Sequence, residues 1–135
     1  MISDTDIKDA LYMYLKTTRL AKEVNGEICK RGKRNPESTS EDIVLSVVAN
    51  ELGQKQSLVV YVNVYVQDDY VKPHSQNEEK TVRLKTLCNL CMDALETFRL
   101  DDARVVLTSQ RVLEAGNDKE HVISNKLICE LINED

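Results

Sequence analysis

An unbroken alternation of residue types between positions 56 and 67 constrains the fold of this chain more than any other feature. Aliphatic residues share one side of a β-strand at these positions: Leu58, Val60, Val62, Val64 and Val66. The other side is of mixed polarity: Val59, Tyr61, Asn63 and Tyr65. This pattern predicts a sheet with one face covered by helices and a second face that meets solvent or a neighbouring subunit.

The remaining segments alternate between the period of a helix and that of a strand. Helical spacing predicts helices over 4–24, capped by Asp4 or Thr5, and over 81–98. Strands are predicted over 27–31, 42–50, 103–114 and 120–132, and the last two form a hairpin. Residues 68–80 read as a long polar loop, a kind of segment that is often functional or disordered.

This order of elements, α-β-β-β-α-β-β, predicts an α+β fold. We expect a single domain over residues 1–135, with an antiparallel or mixed sheet of about four or five strands and two helices packed on one face.

Composition excludes several classes of protein. Hydrophobic residues make up 41% of the 135-residue chain, which is enough for a buried core and argues against disorder throughout. No apolar run approaches the ~20 residues that span a bilayer, and the first residues lack the layout of a signal peptide. We therefore expect neither an integral membrane protein nor a secreted one.

Charge is distributed unevenly along the chain. The net charge is −5, yet residues 1–34 carry eight Lys/Arg against five Asp/Glu. The basic cluster is Lys30-Arg31-Gly32-Lys33-Arg34, and no aromatic residue that could stack on a base lies beside it. A solvated loop, a contact with an acidic protein surface and DNA binding all remain open for this cluster. The negative net charge of the chain argues against general nucleic-acid binding.

No pattern of residues indicates catalysis, a metal site or a cofactor. Cys88 and Cys91 form the one motif-like pair, but they fall in the middle of a predicted helix, on its apolar side. We therefore predict core packing for them, ahead of metal binding or redox chemistry. His74 and His121 stand in no ligand spacing, and the sequence has neither a nucleophile elbow nor a glycine-rich phosphate loop.

Several stretches resemble small neck proteins of long-tailed phages and prophages. The matching segments are Gly26–Lys30, Arg34–Pro36, Ser40–Val44 and Val60–Asp68. The resemblance covers nearly the whole chain and rests on turn and strand patterns. One departure is Asn35, which separates Arg34 from Pro36 where the family often has Arg-Pro.

The resemblance implies a tail-completion (tail-terminator) or head–tail joining protein. Such proteins form rings, often hexameric, that cap the tail tube or join the tail to the head, and they perform no catalysis. It further implies assembly in the host bacterial cytoplasm and a final place in the virion neck. The partners would be copies of this chain and other tail or neck proteins, with no cofactor, small-molecule substrate, membrane or specific nucleic acid.

A ring needs two unlike surfaces on each subunit, and we expect one of them to use the basic cluster and the tyrosines. The expected interface residues are Lys30, Arg31, Lys33, Arg34, Tyr61, Tyr65 and Tyr70. The alternatives are a small homodimeric α+β protein-binding module of a bacterial cell, which buries the Tyr61 and Tyr65 face, and a cysteine-dependent enzyme.

Overall fold

The computed structural model describes residues 1–71, 76–78, 81–101, 103–116 and 119–132, with the backbone alone described at 69–71 and 76–78. The described helices are α1 (Asp4–Leu15), α2 (Arg19–Glu23) and α3 (Thr81–Glu96). The described strands are β1 (Ile28–Cys29), β2 (Ile43–Glu51), β3 (Lys55–Gln67), β4 (Asp69–Val71), β5 (Gln76–Glu78), β6 (Ala103–Glu114) and β7 (Glu120–Ile132).

A five-stranded mixed sheet organises the fold, with the strand order β1-β2-β3-β7-β6. β1 pairs parallel to β2, and every other pairing in this sheet is antiparallel. β3 lies at the centre and pairs with β7 along its whole length, so that Leu58 faces Cys129 and Val62 faces Asn125. The predicted α+β fold with a mixed sheet is confirmed.

Burial follows the alternation along β3. Leu58, Val60, Val62 and Val64 are fully buried, whereas the residues between them are half-buried. Helical side chains, together with Phe98 just after α3, complete the core on this side of the sheet: Ile7, Leu11, Leu15, Leu20, Leu84, Leu87 and Leu95. The helices therefore cover the aliphatic face, as the sequence predicts.

The predicted helix over 4–24 is broken into two. The hydroxyl groups of Thr17 and Thr18 donate to the carbonyl oxygens of Tyr14 and Leu15, at 2.7 Å each. Hydroxyl groups that bond to nearby backbone compete with the helical pattern, and Thr18 then caps α2. The N-cap of α1 is Ser3, in a capping box with Asp6, in place of the predicted Asp4 or Thr5. No helix in the described part of the chain is long and apolar enough to cross a membrane.

The segment predicted as a loop over 68–80 contains secondary structure. Its described parts form β4 and β5, which pair antiparallel as a separate two-stranded sheet. The predicted strand over 27–31 shortens to the two residues of β1. Gly26 precedes it, and a Cβ atom there would lie 2.3 Å from Asp42 Oδ1 and 2.5 Å from the Glu41 carbonyl oxygen. Only glycine allows this close approach of the two segments.

Candidate interaction surface

In the described part of the chain, no helix covers the face of the sheet opposite the core, and much of this face on β3, β7 and β6 is accessible. We call it the open face and define it by these residues: Val59, Tyr61, Arg104, Val106, Arg111, Leu113, Lys126 and Ile128. Each is half-buried or exposed, and the register places them on the side opposite the buried cluster. Because side chains alternate between the two faces of the sheet, these residues form a surface that no described helix covers.

The open face has an apolar centre. Ile128 pairs with Val59 on one side and with Val106 on the other, so a row of branched side chains crosses three strands. Tyr61 pairs with Lys126 in the next row. Apolar rows of this kind on a sheet bury well against another surface, since cross-strand neighbours form one continuous patch.

The charged groups on β6 and β7 at this face are mainly cationic. Arg104 and Arg111 are exposed, and Lys126 is half-buried. Glu130 is held by Lys55, whose Nζ lies 2.7 Å from its carboxylate, and this hydrogen bond lowers the pKa of Glu130. The open face therefore presents aliphatic and tyrosine surface together with positive charge.

The basic cluster lies at the start of the loop that connects β1 to β2. Lys30 is directed to α1, with Nζ 3.4 Å from Asp9 and 4.7 Å from the centre of the Tyr12 ring. Arg31 and Lys33 are exposed. Gly32, between them, has φ +78°, a conformation that glycine adopts without strain. Of the cations in this cluster, Arg31 and Lys33 are thus the two that the fold leaves most accessible.

Arg34 differs from its neighbours because its side chain is only 10% exposed. The guanidinium group lies 4.3 Å from the centre of the Tyr65 ring and donates from Nη2 to Glu120 Oε2 at 2.5 Å. It also donates to the carbonyl oxygen of Ser38, and its Nε lies 3.5 Å from Asp42 Oδ2. We call these residues the Arg34 cluster.

The Arg34 cluster contains two of the residues expected at the interface, Arg34 and Tyr65. Arg34 and Tyr65 contact each other inside the chain, so they hold the basic loop on the sheet and offer little surface to a partner. Tyr61 lies four residues before Tyr65 on the same strand, beyond this cluster, on the open face. Tyr70 lies on β4, and its side chain is outside the described residues.

A second ionic cluster joins α2, α3 and the start of β2, and the sequence analysis missed it. Arg83 donates to Glu41 Oε1 at 2.6 Å and to Glu23 Oε1 at 2.5 Å, and Glu41 is buried. The hydrogen bonds that Arg83 donates to Glu41 raise the pKa of Arg83 above its ordinary value. Because these partners are far apart in sequence, no local pattern could have indicated the pairing.

A groove of about 610 Å³ lies between α3 and the strand β6, and we call it the edge groove. Its lining comes from α3, β6 and the first residues of β7: Thr81, Leu84, Lys85, Cys88, Asn89, Val112, Glu114 and His121. Leu84 and Val112 make it apolar, and Lys85 and Glu114 are exposed charges on opposite walls. His121 Nδ1 lies 2.6 Å from Asp68 Oδ1. Groove and open face lie on opposite sides of the sheet.

The cysteines are packed as the sequence analysis predicts. Cys91 is fully buried in the core, and Cys88 is half-buried beside it. Burial raises the pKa of the Cys91 thiol to about 12, and burial raises that of Cys129 to about 11. Thiolates react and bind metals, so thiols held protonated in this way behave as small apolar side chains.

We expect the buried thiols to make the protein less stable at alkaline pH. The free energy of unfolding should be highest below pH 9 and fall towards pH 12, because the unfolded Cys91 thiol ionises near 9.0 while the folded one stays protonated to about 12. Urea unfolding over this pH range measures the effect. The variant Cys91→Ala should show a shallower fall than the parent protein, and an equal fall would contradict the assignment. Native Cys91 should also resist alkylation.

Comparisons with protein-family models and with curated proteins find no match for this chain.

Proposed function

We propose that the chain is a structural subunit that assembles head to tail into a ring, as a tail-terminator or head–tail joining component of a phage or prophage. The observation that carries this proposal is the open face, an apolar and cationic sheet surface that no described helix covers. The resemblance of the sequence to phage neck proteins supports the same assignment. The role is mechanical and involves no catalysis.

Charge favours a neighbour that presents a different surface from the open face. Arg104, Arg111 and Lys126 would face one another if two open faces met across a twofold axis. The net charge of the chain is −5, so its acidic surplus lies on other surfaces. An interface between two unlike surfaces generates a ring when the rotation closes. This argument favours the ring over the homodimer that buries Tyr61.

The exposed residues of the basic loop extend this surface. Arg31 and Lys33 are exposed, and a Cβ atom on Gly32 would lie 3.5 Å from Ser46 Cβ on the neighbouring strand. We include these two cations in the proposed contact and leave out Arg34, which is held internally by Glu120. The proposed neighbours are copies of this chain and other neck or tail proteins in the host bacterial cytoplasm and the virion.

Charge reversal on the open face should weaken assembly. In the double variant Arg111→Glu with Lys126→Glu, we expect the dissociation constant of the oligomer to rise at least ~10-fold, since opposite charges across an interface become like charges. The double variant Arg31→Glu with Lys33→Glu should act in the same direction. Light scattering over a range of protein and salt concentrations measures both.

The matched control is Lys16→Glu with Lys22→Glu, which reverses two exposed cations, one at the C-terminal end of α1 and one in α2, away from the open face. It should assemble like the parent protein. An equal loss in the control would assign the effect to net charge and contradict the proposed surface. A parent chain that stays monomeric at high concentration would count against a ring, and a dimer would favour the homodimeric module.

A further inference from the structure

The strand β6 is an open edge of the sheet in the described part of the chain. It pairs with β7 on one side, and no described strand pairs with its other side. A register shift between Leu107 and Ser109 interrupts the ladder, and from Ser109 to Glu114 the pairing is regular. The backbone N–H and C=O groups on the outer side of such a strand can pair with another extended segment.

The edge groove lies directly beside this regular part of β6. Its strand wall consists of Val112 and Glu114, which point to the same side of the sheet, and Leu84 of α3 faces them across the groove. A volume of about 610 Å³ is within the usual range of ligand-binding clefts. A groove between a helix and an unpaired strand is the arrangement in which a peptide adds as a strand and inserts alternate side chains.

We propose that the edge groove binds an extended segment of another protein, which adds to β6 as a further strand. Side chains two residues apart on that segment point to the groove, at the same spacing as Val112 and Glu114. The first is aliphatic and packs between Val112 and Leu84. The second is Lys or Arg and lies opposite the exposed carboxylate of Glu114. This inference does not rest on the proposed ring, which uses the opposite side of the sheet.

The choice of a basic residue follows from the geometry of the added strand. Residues directly opposite each other on neighbouring strands interact, and an opposite charge at that position is favourable. Glu114 is the last residue of β6, and it faces His121 on its paired side. Lys85 lies on the helical wall, across the groove from the strand. A cation on the added strand therefore has the Glu114 carboxylate as its direct cross-strand neighbour.

The test uses the full chain and a blocked peptide of alternating polarity, with threonine at most positions and, on one face, a valine followed two residues later by lysine. Binding is measured by fluorescence anisotropy, and the site by hydrogen exchange. We expect saturable binding and slower amide exchange within Ser109–Glu114. Absence of saturable binding at ~1 mM peptide would overturn the proposal.

Two neighbouring residues provide a matched pair of variants. Val112 and Leu113 are similarly exposed, at 40% and 38%, but Val112 points to the edge groove and Leu113 to the open face. Val112→Lys should weaken peptide binding at least ~10-fold, while Leu113→Lys should leave it within ~3-fold. Equal losses in the two variants would overturn the placement in the groove.

A third variant tests the basic position without a change in packing. Glu114→Gln should weaken the lysine peptide several-fold and leave unchanged a peptide in which glutamine replaces that lysine. Equal effects on both peptides would overturn the assignment of Glu114. If Ser109–Glu114 becomes protected on raising the protein concentration without any peptide, the occupant is a second copy of this chain, which would overturn the assignment to another protein.

Discussion

Replacement of Arg34 with alanine is expected to lower the free energy of unfolding by about 3–5 kcal/mol, since removal of one partner leaves buried charges unpaired. Glu120 is 7% exposed and Asp42 is 4% exposed, and both lie against the guanidinium group. The stacking of Arg34 on Tyr65 would also be lost. Urea denaturation, followed by circular dichroism, measures the change.

Arg31→Ala is the matched control for this prediction. Arg31 is an exposed arginine in the same loop, so its replacement should change the stability by less than about 0.5 kcal/mol. The double variant Arg34→Met with Glu120→Gln should recover part of the loss, because a buried carboxylate is removed along with its partner. If Arg34→Ala were as stable as Arg31→Ala, the internal role of Arg34 would be refuted.

Asn125→Ala is expected to destabilise the protein by about 2–4 kcal/mol, since it removes buried hydrogen bonds and leaves a cavity. Asn125 is fully buried and donates from Nδ2 to the Val62 carbonyl oxygen at 2.9 Å. Its Oδ1 accepts from Gln110 Nε2 at 2.8 Å, and Gln110 also donates to the Cys88 carbonyl oxygen on α3. The amide thus joins β7 to β3 and to β6 and, through Gln110, to α3.

The same variant should loosen the contact between α3 and the sheet. Amide hydrogen exchange in α3 should become faster in Asn125→Ala, because Gln110 loses its hydrogen-bond partner in the core. The increase should exceed that in a variant which is destabilised equally at a site away from α3. Ser109→Ala, at an exposed neighbouring position, should change the unfolding free energy by less than about 0.5 kcal/mol. A loss below about 1 kcal/mol for Asn125→Ala would show that this amide contributes little to the core.

Periodic segments of the sequence predicted their elements almost to the residue. The strands predicted over 103–114 and 120–132 have those bounds in the structure, and 56–67 lengthens by one residue to Lys55. These segments were predictable because burial on one side repeats every second residue in a strand. The break in the helix at Thr17 and Thr18 was not predictable from this pattern. It depends on which nearby carbonyl oxygens accept hydrogen bonds from the two hydroxyl groups.

The candidate surface was predictable only in part. Tyr61 was expected on the less apolar side of its strand, and it lies there on the open face. Nothing in the sequence distinguishes Arg34 from Arg31, yet the Arg34 side chain is only 10% exposed and bonds to Glu120, 86 positions away. The edge groove was not predicted, because it forms between α3 and β6, and the sequence of neither segment alone indicates a groove.

The amino-acid pattern alone therefore determined which segments are helices or strands and which side of each is apolar, because both properties depend on residues only a few positions apart. The tertiary structure decided which cations are held inside and which are accessible, and which strand is left at the edge of the sheet. These outcomes depend on contacts between residues distant in sequence, such as Arg34 with Glu120 and Arg83 with Glu41. Which charges of the basic cluster are accessible to a partner is therefore decided only when the sheet has formed.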